Sequence, residues 1–286
     1  MIAVHGQLDL RRTLAPLGGV FRDDGWWRTA RTPEGPATLR LRRGEAGVAV
    51  EAWGAGSGWM VTRAPSLIGC DDHPQDLRTE HPLVGRLAHQ HAGVRFGATG
   101  LVFEALVWAV VGQKVTGVEA SRGMKGLESR FSEDAPGSSG LRLPPDPERM
   151  AAAPYWDFHS LGIEKRRSDV LRRLASHADG IESLGGLASG EVSARLERHS
   201  GVGPWTSAET VAVSHGDADV VSVGDFHLKN LVAWHLTGRP RGTDEEMLAT
   251  LEPFRPHRGR VIRLLETLCH APAFGPRRPL RSIADR

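Results

Sequence analysis

The spacing of apolar positions changes character once along the chain. Residues 9–16 (DLRRTLAP) carry the spacing of a short helix, after which the period falls toward two. "GWWRTARTP", "PATLRLRRG" and "GVAVEAWG" alternate in part between apolar and polar residues, and the turn signals "EG" and "GEAG" separate them. The pattern predicts a small antiparallel sheet with a helix packed on it, in which Trp26, Trp27 and Trp53 belong to the core or the sheet face. Turn formers gather in "APSLIGCDDHPQD", which puts the end of this unit within residues 65–80. From about residue 80 the alternation is gone. Residues 101–114 (LVFEALVWAVVGQK) are apolar on nearly all sides, as in a buried central helix. The Pro, Gly and Ser content of 132–148 predicts a loop, and "GIEKRRSDVLRRLASHA" at 162–178 predicts a helix with a strongly basic face. Thr243 and Glu246 have the spacing of a capping box for a helix starting near 244. The fold class expected is α+β: a helix-plus-sheet domain over 1–75, then an all-helical domain over 76–286.

A length of 286 residues suits two such domains, and 40% hydrophobic with 24% charged residues is ordinary for a folded chain. The net charge of +2 permits a nucleic-acid partner without demanding one, because clustered arginines can form a basic face that the sum hides. Cys70 and Cys269 match no metal-ligand spacing and are expected to be reduced and structural. Thirteen histidines without an H-E-x-x-H array give no support for a catalytic metal. "MIAVHGQLDLRR" lacks the apolar region of a signal peptide, and no run approaches the roughly 20 apolar residues of a membrane span. A cytoplasmic protein with no membrane partner is the expectation.

The stretch richest in chemistry is 196–230, "LERHSGVGPWTSAETVAVSHGDADVVSVGDFHLKN". Helical spacing flanks "SGVGP". Gly201 and Gly203 permit positive φ and a close backbone approach, and Pro204 suits the first position of the second helix. Such a turn aims unpaired N–H groups outward at a helix N-terminus, an anion site that a DNA phosphate fits. A tight helix-helix turn with no ligand fits the same letters. Asp225 precedes a helical run and is, on local grounds alone, a good N-cap.

The order Leu196, Gly201-Val202-Gly203-Pro204-Trp205-Thr206 and then Asp225 resembles the helix-hairpin-helix signature and following aspartate of the DNA base-excision glycosylase superfamily. It is most similar to the 3-methyladenine DNA glycosylase II branch. "FEALVWAVVGQKVTGVEA" resembles that branch's central helix and wedge loop, "HSLGIEKRRSDVLRRLA" its next helix, and the N-terminal helix and sheet its extra domain. The resemblance implies a monofunctional DNA glycosylase of base-excision repair. It would flip an alkylated purine from duplex DNA and hydrolyse the N-glycosidic bond, as a monomer and with no cofactor required. A rival on the same scaffold is a damage-sensing DNA-binding protein with altered catalysis.

By the same resemblance Asp225 is the catalytic carboxylate. Breaking an N-glycosidic bond builds positive charge on the deoxyribose, which a nearby carboxylate stabilises, and a carboxylate of ordinary acidity is ionised at neutral pH. An alkylated base that is already cationic leaves as a neutral molecule and requires no general acid. The base pocket implied holds Trp205, then Glu209 one turn later, and Glu266 on the last helix, where relatives carry aromatic residues. Both glutamates either enter the pocket and select by charge and hydrogen-bond acceptance, or face solvent or pair with a nearby arginine. The gap left by the flipped base needs a wedge. That place falls to Lys114, beside Gln113, whose stem can lie between bases; a solvated surface lysine fits as well. DNA contacts are expected from Gln113, Lys114, Gly201, Val202, Gly203 and Thr206, with Arg166 and Arg258. The last two belong to basic clusters at 165–167, at Arg258 and Arg260, and at Arg277 and Arg278. The resemblance also implies a sodium or potassium ion on the backbone carbonyls of Glu197, His199 and Val202. Bifunctional members carry a lysine two residues beyond the second hairpin glycine, where this chain has Trp205.

Overall fold

The computed structural model describes residues 1–137 and 139–268; Cys269, Arg277 and Arg278 lie outside the described residues. The Asp9 carboxylate accepts the Arg12 N–H at 2.9 Å and so caps α1 (Leu10–Leu14), which runs into a 3-10 turn over Ala15–Leu17. Four antiparallel strands follow in sequence order: β1 (Val20–Arg22), β2 (Gly25–Thr32), β3 (Gly35–Gly44) and β4 (Gly47–Trp53). In the β2–β3 register Trp26 pairs with Leu41 and Arg28 with Leu39. The period of two sends Trp26, Arg28 and Ala30 to the buried face. There α2 (Ser57–Leu67) closes the core, with Met60 and Leu67 against Trp26, Leu39 and Leu41. On the opposite face Trp27 and Trp53 stack at 5.3 Å, with the Arg40 guanidinium 5.0 Å from the Trp27 ring. The tryptophans thus divide between core and sheet face.

That second face is covered by the long loop after residue 131. Pro136 O accepts the Thr38 hydroxyl at 2.7 Å, Ser139 O accepts Arg22 at 2.9 Å, and Glu133 takes both terminal nitrogens of Arg31 at 2.6 and 2.8 Å. Apart from one bridge between Asp134 and Arg142, its described residues up to the next helix form no regular element, as the composition predicts.

The helical region has two apolar cores. In the first, α4 (Val102–Val111) is buried except at Glu104 and Trp108. Around it lie α5 (Gly117–Phe131), α6 (Pro147–Ala152), α7 (Tyr155–His159), α8 (Lys165–Ala175), α9 (Ala178–Glu182), α10 (Ser189–Leu196) and α11 (Pro204–Ser214). In the second, α3 (Pro82–Gln90) joins α12 (Leu228–Val232), α13 (Asp244–Leu251) and α14 (Arg258–Leu265) through Val84, Val232, Leu251 and Val261. The expected capping box is present at the start of α13: Thr243 and Glu246 accept each other's backbone N–H. No helix among the described residues is long and apolar enough to cross a membrane.

Two carboxylates fix α4. Glu104 pairs with Arg28 of β2 at 2.8 Å, and burial raises its carboxyl although Arg28 opposes the shift. Glu182, at the end of α9, accepts the amides of Val102 and Phe103 at 3.2 and 2.9 Å, supplying partners to the first turn of α4. Burial pushes the Glu182 carboxyl up to about 7 from an ordinary 4.5. The folded protein therefore holds this proton more tightly than the unfolded chain, and stability falls as pH rises between those two values. Glu182→Gln is expected to flatten the fall by about 1–3 kcal/mol when urea unfolding is compared at about pH 5 and pH 8. Parallel pH dependences in the two proteins would show that Glu182 ionises without penalty.

Candidate active site

The hairpin between α10 and α11 packs on the first helical core through Val202. Gly201 has φ 91°, and a Cβ there would stand 2.4 Å from Val170 Cγ2 of α8. Only glycine meets both demands. Gly203 differs from the expectation of positive φ at both glycines: it is extended at φ −120°, with no atom within 4 Å of where a Cβ would be. The space before the N-terminus of α11 is open, and Pro204 occupies the first helical position. Val202 points its side chain into the first helical core and donates its N–H to His199 O at 2.9 Å. The Glu197 side chain accepts the Ser207 hydroxyl at 2.6 Å. Among the described residues no group of three or more His, Cys, Asp or Glu side chains could hold a metal ion.

Gln113 joins the end of α4 to this hairpin. Its side-chain amide donates to Gly201 O and to Thr206 Oγ1, both at 2.9 Å, and Thr206 is buried. The next residue, Lys114, is exposed and has φ 56°, the one positive φ outside glycine among the described residues. A left-handed lysine costs on the order of 1 kcal/mol and persists only where its surroundings impose it. The Gln113 clip fixes one side of this loop. A reciprocal capping box between Thr116 and Glu119 at the start of α5 fixes the other.

Asp225 has both carboxylate oxygens engaged. Oδ1 accepts the backbone N–H groups of His227 and Leu228 at 2.7 and 3.0 Å, capping α12. Oδ2 accepts the Trp205 indole N–H at 3.2 Å. The capping role read from the local sequence and a place beside Trp205 are therefore combined in one side chain. The outer edge of the Trp205 ring approaches Gly112, where a Cβ would meet it at 3.4 Å. Glu209, one turn beyond Trp205, accepts the Ser222 hydroxyl. Burial raises the Glu209 carboxyl; the Ser222 bond opposes this, and the charges of Asp225 and Glu266 add to it. Glu266 sits just past α14 with an exposed side chain. The surrounding protein mass raises its carboxyl, Arg263 opposes and Asp225 adds. The carboxyls of Glu209 and Glu266 thus both feel the charge of Asp225, which Trp205 contacts.

The basic clusters do not form the single surface expected of them. Arg166 is exposed, without an ion-pair partner among the described residues, whereas neighbouring Arg167 is buried and donates to Val111 O at 2.6 Å. Arg258 clasps Asp219 with Nε and Nη2 at 3.0 and 2.7 Å, and Arg260 is buried against Asp72. These arginines fasten α14 to the body because carboxylates remote in sequence meet them there. Two residues beside the site escape sequence reasoning. Ser222, which orients Glu209, lies in a loop with no period to mark it; Phe226 is 62% exposed directly after Asp225, and its only signal is a large apolar residue next to the motif aspartate.

Residues 107–256, just over half of the chain, match the family described as HhH-GPD superfamily base excision DNA repair protein. In fold the chain is similar to a 3-methyladenine DNA glycosylase from Archaeoglobus fulgidus, with TM-score 0.75 and 17% identity over 92% of this chain and 96% of that one. It is also similar to an 8-oxoguanine glycosylase/lyase from Clostridium acetobutylicum, in complex with double-stranded DNA containing cytosine opposite 8-oxoguanine. That match has TM-score 0.67 and 14% identity over 90% of each chain. A curated relative from Bacillus subtilis (strain 168), YfjP, provisionally named a DNA-3-methyladenine glycosylase, is 22% identical over 172 residues. The chain spans 59% of the length of that relative, through 59% of its own.

Proposed function

The chain belongs to the HhH-GPD superfamily of base excision DNA repair proteins, and from that premise we propose that it is a monofunctional DNA glycosylase acting on alkylated purines in duplex DNA. The observation that carries the reading is the seat of Asp225. Its carboxylate is held by the backbone amides of His227 and Leu228, at the start of α12, and by the indole of Trp205 in α11. The open N-terminus of α11 at Gly203 would receive a phosphate, with Arg166 adding positive charge. Lys114, held out on its constrained loop, would enter the stack behind the flipped base. Gln113, Val202 and Thr206 serve from within by bracing that loop and the hairpin, and Arg258 braces α14.

With the base rotated out, the C1′–N bond breaks as its electron pair moves onto the base, and the Asp225 carboxylate stabilises the positive sugar until water adds. The acidic groups Asp225, Glu209 and Glu266 favour a base that carries positive charge or exposed N–H groups. No cofactor enters this scheme. A monovalent ion on the carbonyls of Glu197, His199 and Val202 would serve the hairpin's geometry rather than the chemistry.

The test is to incubate the purified protein with methylated duplex DNA and identify what is released. An alkylated purine should appear while the strand stays intact until alkali treatment. Borohydride should trap no protein-DNA adduct, because Trp205 stands where a Schiff-base lysine would be, and Lys229 of α12 pairs with Asp244 at 3.4 Å. A robust adduct on any lysine would overturn the monofunctional reading. Tight binding to damaged DNA with no base released would favour a damage sensor instead.

A further inference from the structure

We propose that Glu209 is a proton donor to the departing base, which equips this site to excise damaged purines that carry no charge. The inference rests on the glycosylase reading above and extends its substrate class. A cationic alkylated purine leaves as a neutral molecule. An uncharged purine would leave as an anion, a poor leaving group unless a ring nitrogen gains a proton as the C1′–N bond breaks. That proton needs a carboxylic acid inside the pocket, close to a second carboxylate that remains available to the sugar.

The geometry separates the two roles. Asp225 receives three N–H donors, two from the backbone and one from Trp205. Glu209 receives the Ser222 hydroxyl on Oε1, which fixes the side chain and leaves Oε2 to carry a proton. Among the described residues the charged groups that act on Glu209 are Asp225 from the loop and Glu266 from the end of α14, both acidic, while Arg263 acts on Glu266. Among the described residues no cation stands against Glu209 to hold it ionised, and burial together with those two neighbours raises its carboxyl. Two carboxyl groups whose surroundings differ in this way form an acid paired with a charge stabiliser.

In the step proposed, the C1′–N9 bond breaks and its electron pair passes to the base, while the Glu209 proton moves to a ring nitrogen of that base. Water adds through oxygen to C1′ and gives up one proton, which Asp225 accepts and returns through solvent to Glu209. The sum is nucleotide plus water giving an abasic site and a neutral free base.

Single-turnover excision should be compared on two duplexes, one containing 7-methylguanine, which is cationic, and one containing hypoxanthine, which is not. The unaltered protein should release both bases. The hypoxanthine rate should fall with rising pH as Glu209 loses its proton, and the 7-methylguanine rate should show no such fall. Glu209→Gln should lower the hypoxanthine rate at least about 100-fold more than it lowers the 7-methylguanine rate, and should flatten the hypoxanthine pH profile. Equal losses on both substrates, or a hypoxanthine profile with no descending limb in the unaltered protein, would overturn the proposal. Release of 7-methylguanine alone by the unaltered protein would overturn it too and leave the glycosylase reading standing. Release of neither base would overturn both.

Discussion

Asp225→Asn is expected to abolish base excision while leaving the fold and DNA binding in place. The substitution removes the charge that opposes the developing cation on the sugar, an effect expected to lower the single-turnover rate by about 10³-fold or more. Structural damage should be small. The asparagine carbonyl can still accept the N–H groups of His227 and Leu228, so the cap on α12 survives. The loss falls on Oδ2, where an amide nitrogen would face the Trp205 indole N–H, donor against donor. One hydrogen bond of that kind is worth about 1 kcal/mol, a shift of a few degrees in melting temperature. Excision rate, melting temperature and affinity for damaged duplex should be measured on the same preparation. A variant that melts early but whose folded fraction excises at the full rate would reduce Asp225 to a cap, and the proposed mechanism would fall with it.

What the sequence could reveal about this molecule follows the range over which each feature is decided. The sheet strands β2 to β4, the buried helix α4 and the Thr243–Glu246 capping box are set by residues a few positions apart, and local spacing exposes them. β1 has three residues, too few to establish a period. α2 carries Gly58 and Pro65 inside its span, residues that read as turn formers, yet it forms because Met60, Ala64 and Leu67 close the core under the sheet. The arginines show the same limit from the other side. Arg258 meets Asp219 and Arg260 meets Asp72, 39 and 188 residues away, so charge clustering alone places them on a surface from which the fold withdraws them. The candidate site is intermediate. Gly201, Trp205 and Asp225 stand in a recognisable order, but the Trp205–Asp225 bond spans 20 residues and the Glu209–Ser222 bond 13, through a loop whose path no periodicity fixes.

The hairpin glycines should differ in stability on gaining the same methyl group. Gly201→Ala puts a Cβ 2.4 Å from Val170 Cγ2 on a backbone at φ 91°, and neither demand can be relieved locally. The left-handed backbone costs about 1–2 kcal/mol and the overpacking about 1–3 kcal/mol, so a loss of about 2–4 kcal/mol in unfolding free energy is expected. DNA affinity should fall as well, because shifting Gly201 releases the carbonyl that Gln113 grips and loosens the loop that holds Lys114. Gly203→Ala adds its methyl to open space on an extended backbone, where stability should change by less than about 0.5 kcal/mol. That methyl would occupy the room before the N-terminus of α11, and affinity for duplex should fall about tenfold if a phosphate belongs there. Val170→Ala can separate the two costs at Gly201. In a double-mutant cycle it should recover the overpacking part and leave the backbone part in place. Full recovery would show that Gly201 is needed only for space, and no recovery that its backbone conformation is the whole requirement. Unchanged DNA binding by a stable Gly203→Ala protein would remove the N-terminus of α11 from the proposed DNA contact.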